Sequence, residues 1–182
     1  MARLVVPTVT VQGSFLAAWD EWGVEAERWM GAEAFVGGEE EQWSREEAAD
    51  PGEFRRLVEG IVGAAEPGAV LAAGIVPYTM LWFVEGDEWL GRLSIRHELT
   101  PHLLELGGHI GYGVRPSARR RGYATQMLVQ ALPVAAELGI DPALVTCDAD
   151  NVASRKVIEA AGGELEDERH GKLRFWVATK LK

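Results

Sequence analysis

The chain has 182 residues, 47% of them hydrophobic and 25% charged, which is typical of a single soluble globular domain. No apolar run reaches the roughly 20 residues that a membrane span requires, and the N-terminus lacks the long apolar segment of a signal peptide. A lone cysteine, Cys147, excludes an intrachain disulfide bond and favours a reducing cytoplasm.

The net charge of −10 is concentrated near the start of the chain, where residues 1–60 hold 5 basic and 13 acidic side chains. This balance argues against nucleic-acid binding, because lysine and arginine must neutralise the phosphates. The acidic surface could attract a cationic substrate, or it could be a solvated face that favours solubility. No histidine and cysteine residues have metal-ligand spacing, so we expect no metal site.

The N-terminal third predicts one strand and two helices, with a polar segment between the helices. Residues 4–11 alternate apolar and polar side chains, which predicts a strand, and apolar spacing predicts a helix over residues 15–30. Residues 31–50 are polar, with two adjacent glycines and a run of glutamates, and we expect a mobile loop or a frayed helix there. Asp50-Pro51 predicts the start of the second helix.

Four of the seven tryptophans fall in this acidic third, and two interpretations remain open for them. They could line a pocket for an amine through cation–π contacts, or they could be core residues at helical spacing. The four residues are Trp19, Trp22, Trp29 and Trp43.

The rest of the chain alternates between strand and helix patterns, with no internal repeat and no long linker. The helix that starts at Gly122 has apolar residues at helical spacing and ends at Gly139. Another helix opens at Asn151, and the whole order predicts a mixed α/β fold with helices packed on a sheet. The predicted strands are residues 77–84, 89–96, 108–114, 143–147, 164–169 and 172–179.

A basic loop joins the strand at 108–114 to the helix that follows. Its sequence Arg119-Arg-Arg-Gly-Tyr-Ala124 fits the pattern Arg/Gln-x-x-Gly-x-Gly/Ala. The amide groups and the dipole at a helix N-terminus attract an anion, and Gly122 lets the backbone approach it closely. An arginine-rich turn can also be simply solvated, but the strand before it and the amphipathic helix after it favour a phosphate site.

With these elements, the sequence resembles the GNAT superfamily of acetyl-CoA-dependent N-acetyltransferases over residues 78–177. The segments 108–125 and 151–163 carry the resemblance, and the runs 94–97 and 107–112 are similar to a bacterial branch of predicted acetyltransferases. The resemblance implies a six- or seven-stranded, mostly antiparallel sheet with a central splay and helices on both faces. It also implies one domain over residues 1–182, with an acceptor side in 1–77 and an acyl-CoA-binding core in 78–182.

The resemblance further implies which residues bind acetyl-CoA, the cosubstrate. The pantetheine arm would lie in the splay against the backbone of Tyr112 and Val114, as an added strand does. Its pyrophosphate would bind the loop and the start of the next helix, while the Asn151 side chain would reach the arm near Ser154. The loop residues are Arg119, Arg120, Arg121, Gly122, Tyr123, Ala124 and Thr125.

One position departs from the family pattern. Many members have a tyrosine seven residues after the asparagine, where it protonates the leaving thiolate, but this chain has Ile158. Ser154, a water or another tyrosine would then act as the acid, or no acid is needed. The candidate bases are His97, Glu98, Glu105 and His109, each of which could instead be a surface or structural residue. Cys147 could be a nucleophile, but a buried strand thiol fits its surroundings better.

The resulting prediction is an N-acetyltransferase that moves an acyl group directly from acetyl-CoA to a primary amine of a small molecule or a peptide. The hairpin around Arg174 would form one wall of the acceptor site. A CoA-binding sensor without catalytic activity is the alternative. A nucleotide-phosphate binder would need a Walker-type motif, which the sequence lacks. We expect no nucleic-acid or membrane partner, and the resemblance is compatible with a homodimer.

Overall fold

The computed structural model describes residues 1–36 and 39–180, which form nine strands and six α-helices within these ranges. The strands are β1 (Arg3–Val5), β2 (Glu33–Val36), β3 (Glu39–Gln42), β4 (Tyr78–Glu85), β5 (Glu88–Arg96), β6 (Ile110–Val114), β7 (Ala143–Asp148), β8 (Glu164–Arg169) and β9 (Lys172–Val177). The helices are α1 (Gln12–Trp22), α2 (Ala26–Trp29), α3 (Arg45–Ala49), α4 (Pro51–Gly63), α5 (Tyr123–Glu137) and α6 (Val152–Ala160).

Seven of the strands form one sheet in the order β1-β4-β5-β6-β7-β9-β8. Every neighbouring pair is antiparallel except β6 and β7, which run parallel. The expected mostly antiparallel sheet is therefore confirmed, as are the two predicted hairpins, β4–β5 and β8–β9. The structure also confirms that Asp50 begins α4, because its carboxylate accepts hydrogen bonds from the backbone N–H groups of Gly52 and Glu53.

The two faces of the sheet carry separate hydrophobic cores. Side chains alternate along β4, so Leu81 and Phe83 pack with α5, while Met80 and Trp82 pack with α1 and α4. Each helix layer thereby buries one side of the same strands. β5 and β6 lie at the centre of the sheet, between the two layers.

The structure corrects the prediction for the first 30 residues. The strand predicted over residues 4–11 ends at Val5, and a short 3₁₀ turn covers Val9–Val11 after Pro7. Proline lacks the N–H group that a strand needs. The helix predicted over 15–30 breaks after Trp22, because Gly23 has a φ of 54°.

The polar segment 31–50 is also structured, contrary to the prediction of a loop or a frayed helix. It contains the β2–β3 hairpin and α3. Ser44 and Glu47 form a reciprocal capping box at the start of α3, and Ala34 and Ala48 are buried. The predicted loop at Gly37 and Gly38 lies outside the described residues.

The terminal hairpin does not line an acceptor site through Arg174, as the sequence suggested. The Arg174 side chain is almost fully buried, and its guanidinium bonds to Asp167, Glu166 and the backbone oxygen of Leu104. Its charges are satisfied within the edge of the sheet, so its role is structural.

A buried ion pair fastens α1 to the loop after β6. Arg115 has a side chain only 7% exposed, and its guanidinium bonds to the carboxylate of Glu21 and to the backbone oxygen of Trp89. Glu21 also accepts hydrogen bonds from the backbone N–H and the hydroxyl of Ser117. Burial by itself raises the pKa of Glu21, but the bonds from Arg115 and Ser117 outweigh burial and lower it.

We expect Glu21→Gln to lower the free energy of unfolding by about 3 kcal/mol at pH 7, because it removes the closer and less exposed of the two carboxylates that face a buried guanidinium. The exposed Glu88, whose carboxylate lies 3.7 Å from Arg115 Nη1, is the control, and Glu88→Gln should change stability by less than about 0.5 kcal/mol. Since the folded-state pKa of Glu21 is lowered, this stabilisation is present above the unfolded pKa and is lost as the pH falls through the folded pKa. Urea unfolding at several pH values measures it, and equal effects of the two variants would contradict it.

Candidate active site

The loop before α5 forms a small cradle of exposed backbone amides. Arg120 has a φ of 62° and Gly122 a φ of 76°, so the chain turns sharply into the helix. No side chain caps the first turn of α5, and its N–H groups face a cavity of about 150 Å³. Uncapped amides and a helix dipole attract an anion, and the cavity is lined by Arg119, Arg120, Gly122, Tyr123, Ala124 and Thr125, among others.

The side chains of three predicted phosphate-binding residues differ in where they lie relative to the cradle. Arg119 donates a hydrogen bond from Nε to the backbone oxygen of Val114, and its guanidinium lies over the Trp22 ring, 4.5 Å from the centroid. The Tyr123 ring packs against Phe83 in the core, so its backbone contributes to the cradle. Arg121 is exposed and does not line the cavity.

The sheet opens between β6 and β7, next to this cradle. Only one residue pair, Ile110 with Val145, is in register between the two strands, which agrees with the splay that the family resemblance implies. Beyond this pair, a groove of about 340 Å³ is lined by Trp22, Trp29, Tyr112, Gly113, Val114, Arg119, Ala124, Asn151 and Ser154.

The four tryptophans of the N-terminal third divide between this groove and the core. Trp22 and Trp29 line the groove and stack on each other with ring centroids 5.7 Å apart. Trp19 and Trp43 are buried in the core.

The backbone of β6 presents free edges to this groove. The N–H of Arg115 bonds to Leu90 of β5, and alternate residues of a strand direct their backbone groups to opposite edges. The backbone groups of Tyr112 and Val114 therefore point toward β7, where the splay leaves room for a ligand strand. The contacts of these two residues with a pantetheine arm stay a prediction.

Side chains from β6 and α6 meet at the floor of the groove. The Tyr112 hydroxyl lies 2.7 Å from Ser154 Oγ. The Asn151 side-chain oxygen accepts the Ser154 N–H and so caps α6, which leaves its amide NH₂ as the group able to donate to a ligand. Ile158, at the position of the family's tyrosine, is fully buried in the core.

The structure gives three of the four predicted bases, His97, Glu105 and His109, a structural partner. His109 is 9% exposed, and its Nδ1 accepts the backbone N–H of Leu144, which bridges β6 to β7. That lone pair is engaged, and burial together with Arg96 lowers the pKa of the imidazole. His97 Nε2 lies 2.8 Å from Thr79 Oγ1, and Glu105 forms a salt bridge with Arg169 at 2.7 Å. None of these three residues lines the cradle cavity, the groove, or the larger cavity of about 510 Å³ on the opposite face of the sheet.

Cys147 has the surroundings of a structural thiol. It is 6% exposed and belongs to the core shared with α5. Burial raises the pKa of the thiol, and Asp148 adds to this effect. A thiol that resists ionisation is a poor nucleophile, so direct transfer is favoured over a cysteine intermediate.

A larger cavity, about 510 Å³ in volume, lies on the opposite face of the sheet. Alternate residues of β5 line it, and Gly111 and Gly113 of β6 lie opposite them in register. A side chain at Gly111 would begin 3.6 Å from Ser94 Oγ. β6 has no side chain on this face at the two glycines, but the Trp29 ring, which lines the groove, lies 3.6 Å from the point where a side chain at Gly113 would begin. The β5 residues in the wall of the cavity are Arg92, Ser94 and Arg96.

Glu33 of β2 also lines this cavity, and it was missed because the sequence predicted a loop there. Burial raises the pKa of its carboxyl, an effect that Arg92 opposes and Glu40 reinforces. A carboxylate with a raised pKa beside a substrate-sized cavity is a candidate general base. No local pattern distinguishes Glu33 from the other acidic residues, whereas the alternation of Arg92, Ser94 and Arg96 with apolar residues is a signal from which a polar strand face could have been predicted.

Within residues 1–36 and 39–180, no helix is long and apolar enough to cross a bilayer. The same ranges contain no cluster of three or more histidine, cysteine, aspartate or glutamate side chains that could hold a metal ion.

The fold is shared with solved structures of acetyltransferases, several of which are complexes with CoA or acetyl-CoA. The chain is similar to RimJ of Mycobacterium smegmatis in complex with CoA-disulfide, with a TM-score of 0.64, 17% identity, and coverage of 97% of this chain and 81% of that one. It is also similar to RimL, a ribosomal L7/L12 alpha-N-protein acetyltransferase, in complex with CoA, with a TM-score of 0.58, 18% identity, and coverage of 96% of this chain and 92% of that one. For the microcin C7 self-immunity acetyltransferase MccE, in complex with acetyl-CoA and AMP, the TM-score is 0.61 and the identity 11%, with coverage of 97% of this chain and 92% of that one.

A search of curated protein sequences finds no match. The family model "Acetyltransferase (GNAT) domain", in contrast, matches residues 21–164. This range includes the cradle, the splay, and strands β5 and β6, so the family model covers the same part of the chain as the candidate site. The chain belongs to the GNAT family of acetyltransferases.

Proposed function

We propose that this protein transfers the acetyl group of acetyl-CoA directly to a primary amine of a small molecule or a peptide. One observation carries the proposal. The groove is lined by Gly113 of β6, and the polar cavity is lined by Arg92 and Ser94 of β5, which are the register partners of Gly113 and Gly111. Two substrates bound in these cavities would approach each other across β6.

The cradle and the groove have the chemistry that a CoA ester needs. The amides at the start of α5, together with Arg119 and Arg120, would hold the pyrophosphate. The backbone of Tyr112 and Val114 would bond the pantetheine arm, and an N–H group there would polarise the thioester carbonyl. Acetyl-CoA supplies the activated acetyl group.

On the acceptor side, we propose Glu33 as the group that takes the proton from the amine. It lines the cavity, and its raised pKa brings it closer to neutral pH, as a general base requires. A single water could relay the proton. His97, Glu105 and His109 are not retained for this role because their side chains are engaged elsewhere.

For the leaving thiolate, we propose Tyr112 as the proton donor in place of the missing tyrosine at position 158. Its hydroxyl lies in the groove beside Ser154. Burial raises its pKa to about 12, so the hydroxyl remains protonated at neutral pH. Ser154 then orients the hydroxyl and is a positioning residue.

We expect Tyr112→Phe to lower kcat about 10-fold while CoA affinity changes less than threefold, because the acid contributes only to departure of the thiolate. The deficit should shrink with an acetyl donor whose thiol is more acidic, since a better leaving group needs less protonation. Steady-state kinetics with two thioesters measure this. A loss that is equal for both donors would assign Tyr112 a purely structural role.

The activity itself is tested by calorimetric titration with CoA, followed by measurement of thiol release from acetyl-CoA with a panel of primary amines. Binding with amine-dependent thiol release is expected. Binding without thiol release across the panel would favour the sensor instead. The cytoplasmic location and the homodimer stay predictions, and size-exclusion chromatography with light scattering tests the second.

A further inference from the structure

The polar cavity that would hold the acceptor has an unusual distribution of charge. Two carboxylates from the β2–β3 hairpin, Glu33 and Glu40, line one part of it. Two guanidinium groups from β5, Arg92 and Arg96, line another part. Arg92 interacts electrostatically with Glu33, and its Nε donates to the backbone oxygen of Trp29 at 2.6 Å. Glu33 thus acts on Arg92, and neither carboxylate is among the charges that act on Arg96.

Arg96 is the partly buried cation that these carboxylates do not balance. Its Nη1 donates to the backbone oxygens of Gly107 and Gly108, at 3.2 and 3.1 Å, and both acceptors are neutral. Within residues 1–36 and 39–180, no acidic side chain forms a salt bridge with it. The charge that acts on it is that of Arg92, which has the same sign.

A partly buried charge without a counter-ion is costly, and a ligand of opposite charge removes that cost. The Arg96 guanidinium also borders β6, because a side chain at Gly111 would begin 4.0 Å from Nη1. An anion bound there would lie close to the reaction centre. The hydroxyl of Ser94, between the two arginines on the same face of β5, is a further donor for such an anion.

From this arrangement we infer that the acceptor is a small amine that also carries a carboxylate, such as a free amino acid, with its carboxylate on Arg96 and its amine on the Glu33 side. This inference rests on the proposed function. One unbalanced positive charge matches one negative charge, which favours a carboxylate over a phosphate dianion. A guanidinium binds a carboxylate through two parallel hydrogen bonds, so it also fixes the direction of the ligand.

The test compares free α-, β- and γ-amino acids with their own carboxamides as acceptors, in thiol-release assays at saturating acetyl-CoA. Wild-type kcat/KM for the best amino acid should exceed that of its carboxamide by about 10- to 100-fold, the value of a charge-assisted pair. Arg96→Gln should reduce this ratio to near one, because the amino acid loses the charge-assisted pair that its carboxamide never had. Arg55→Gln, at an exposed arginine of α4, is the matched control and should keep the ratio.

Arg96→Lys keeps the charge and should retain part of the preference, which provides a second variant if Arg96→Gln folds poorly. Thermal shifts of the CoA-saturated protein with the same compounds give a readout that needs no turnover. Carboxylate-dependent shifts that require Arg96, without thiol release, would support the inference while the transferase function fails. Thiol release with plain amines and no preference for carboxylates would overturn the inference and leave the function standing. A preference that persists in Arg96→Gln would also overturn it.

Discussion

Gly122→Glu is expected to weaken CoA binding by at least about 100-fold, the largest effect we predict for a single substitution. Gly122 is the residue from which α5 begins, and its φ of 76° places the next amides around the cradle. The dipole at the N-terminus of α5 attracts negative charge. A carboxylate at this point would take the place of the pyrophosphate and repel it. Calorimetric titration with CoA measures the loss.

Strain alone could also perturb the cradle, because a side chain at positive φ is unfavourable. Gly139 provides the control, since it has a φ of 80° just after the other end of α5 and no atom lies within 4 Å of a side chain added there. Gly139→Glu should lose comparable stability in urea unfolding and retain CoA affinity within threefold. Gly122→Ala separates charge from strain and should lose much less affinity than Gly122→Glu. Unchanged CoA affinity in Gly122→Glu would refute the assignment of the cradle.

Removal of the proposed base should cause the second large effect. We expect Glu33→Gln to lower kcat about 10²- to 10⁴-fold, the usual contribution of a general base, with little change in CoA affinity. The wild-type rate should rise with pH through the pKa of Glu33, which burial raises above its ordinary value, because only the deprotonated carboxylate accepts the proton. The glutamine variant should lose this acidic limb.

Glu39 is the matched control, because it is an exposed glutamate of the neighbouring strand and does not line the cavity. Glu39→Gln should leave kcat and the pH profile unchanged. Rate profiles from pH 5 to 9 at saturating acetyl-CoA compare the three proteins. If Glu33→Gln retains both its rate and its acidic limb, the base lies elsewhere in the cavity.

The phosphate cradle could be predicted from the sequence because it depends on local geometry. The period of apolar residues changes at Gly122, and three arginines precede it, so the strand, the loop and the helix follow from adjacent residues. The β4–β5 hairpin was predictable for the same reason, as its two strands flank a short turn. The predictions of a strand over residues 4–11 and a helix over 15–30 were too long, because Pro7 and Gly23 each changed the backbone conformation within those segments.

The acceptor cavity could not be predicted in this way, because its residues are distant in the sequence. Glu33 becomes a candidate base only when the β2–β3 hairpin packs beside β5, and Arg96 becomes an unbalanced cation only when its neighbours are known. His109 shows the converse, since a histidine next to the splay strand engages its Nδ1 with the backbone of Leu144, 35 residues away.

The sequence by itself thus determined the α/β class and the succession of strand, basic loop and helix over residues 108–137, both of which depend on contacts between near neighbours. Only the tertiary structure decided which acidic and basic side chains face the two cavities. Burial and charge pairing arise from contacts between segments far apart in the chain, and these two effects set the pKa of Glu33 and leave Arg96 without a counter-charge.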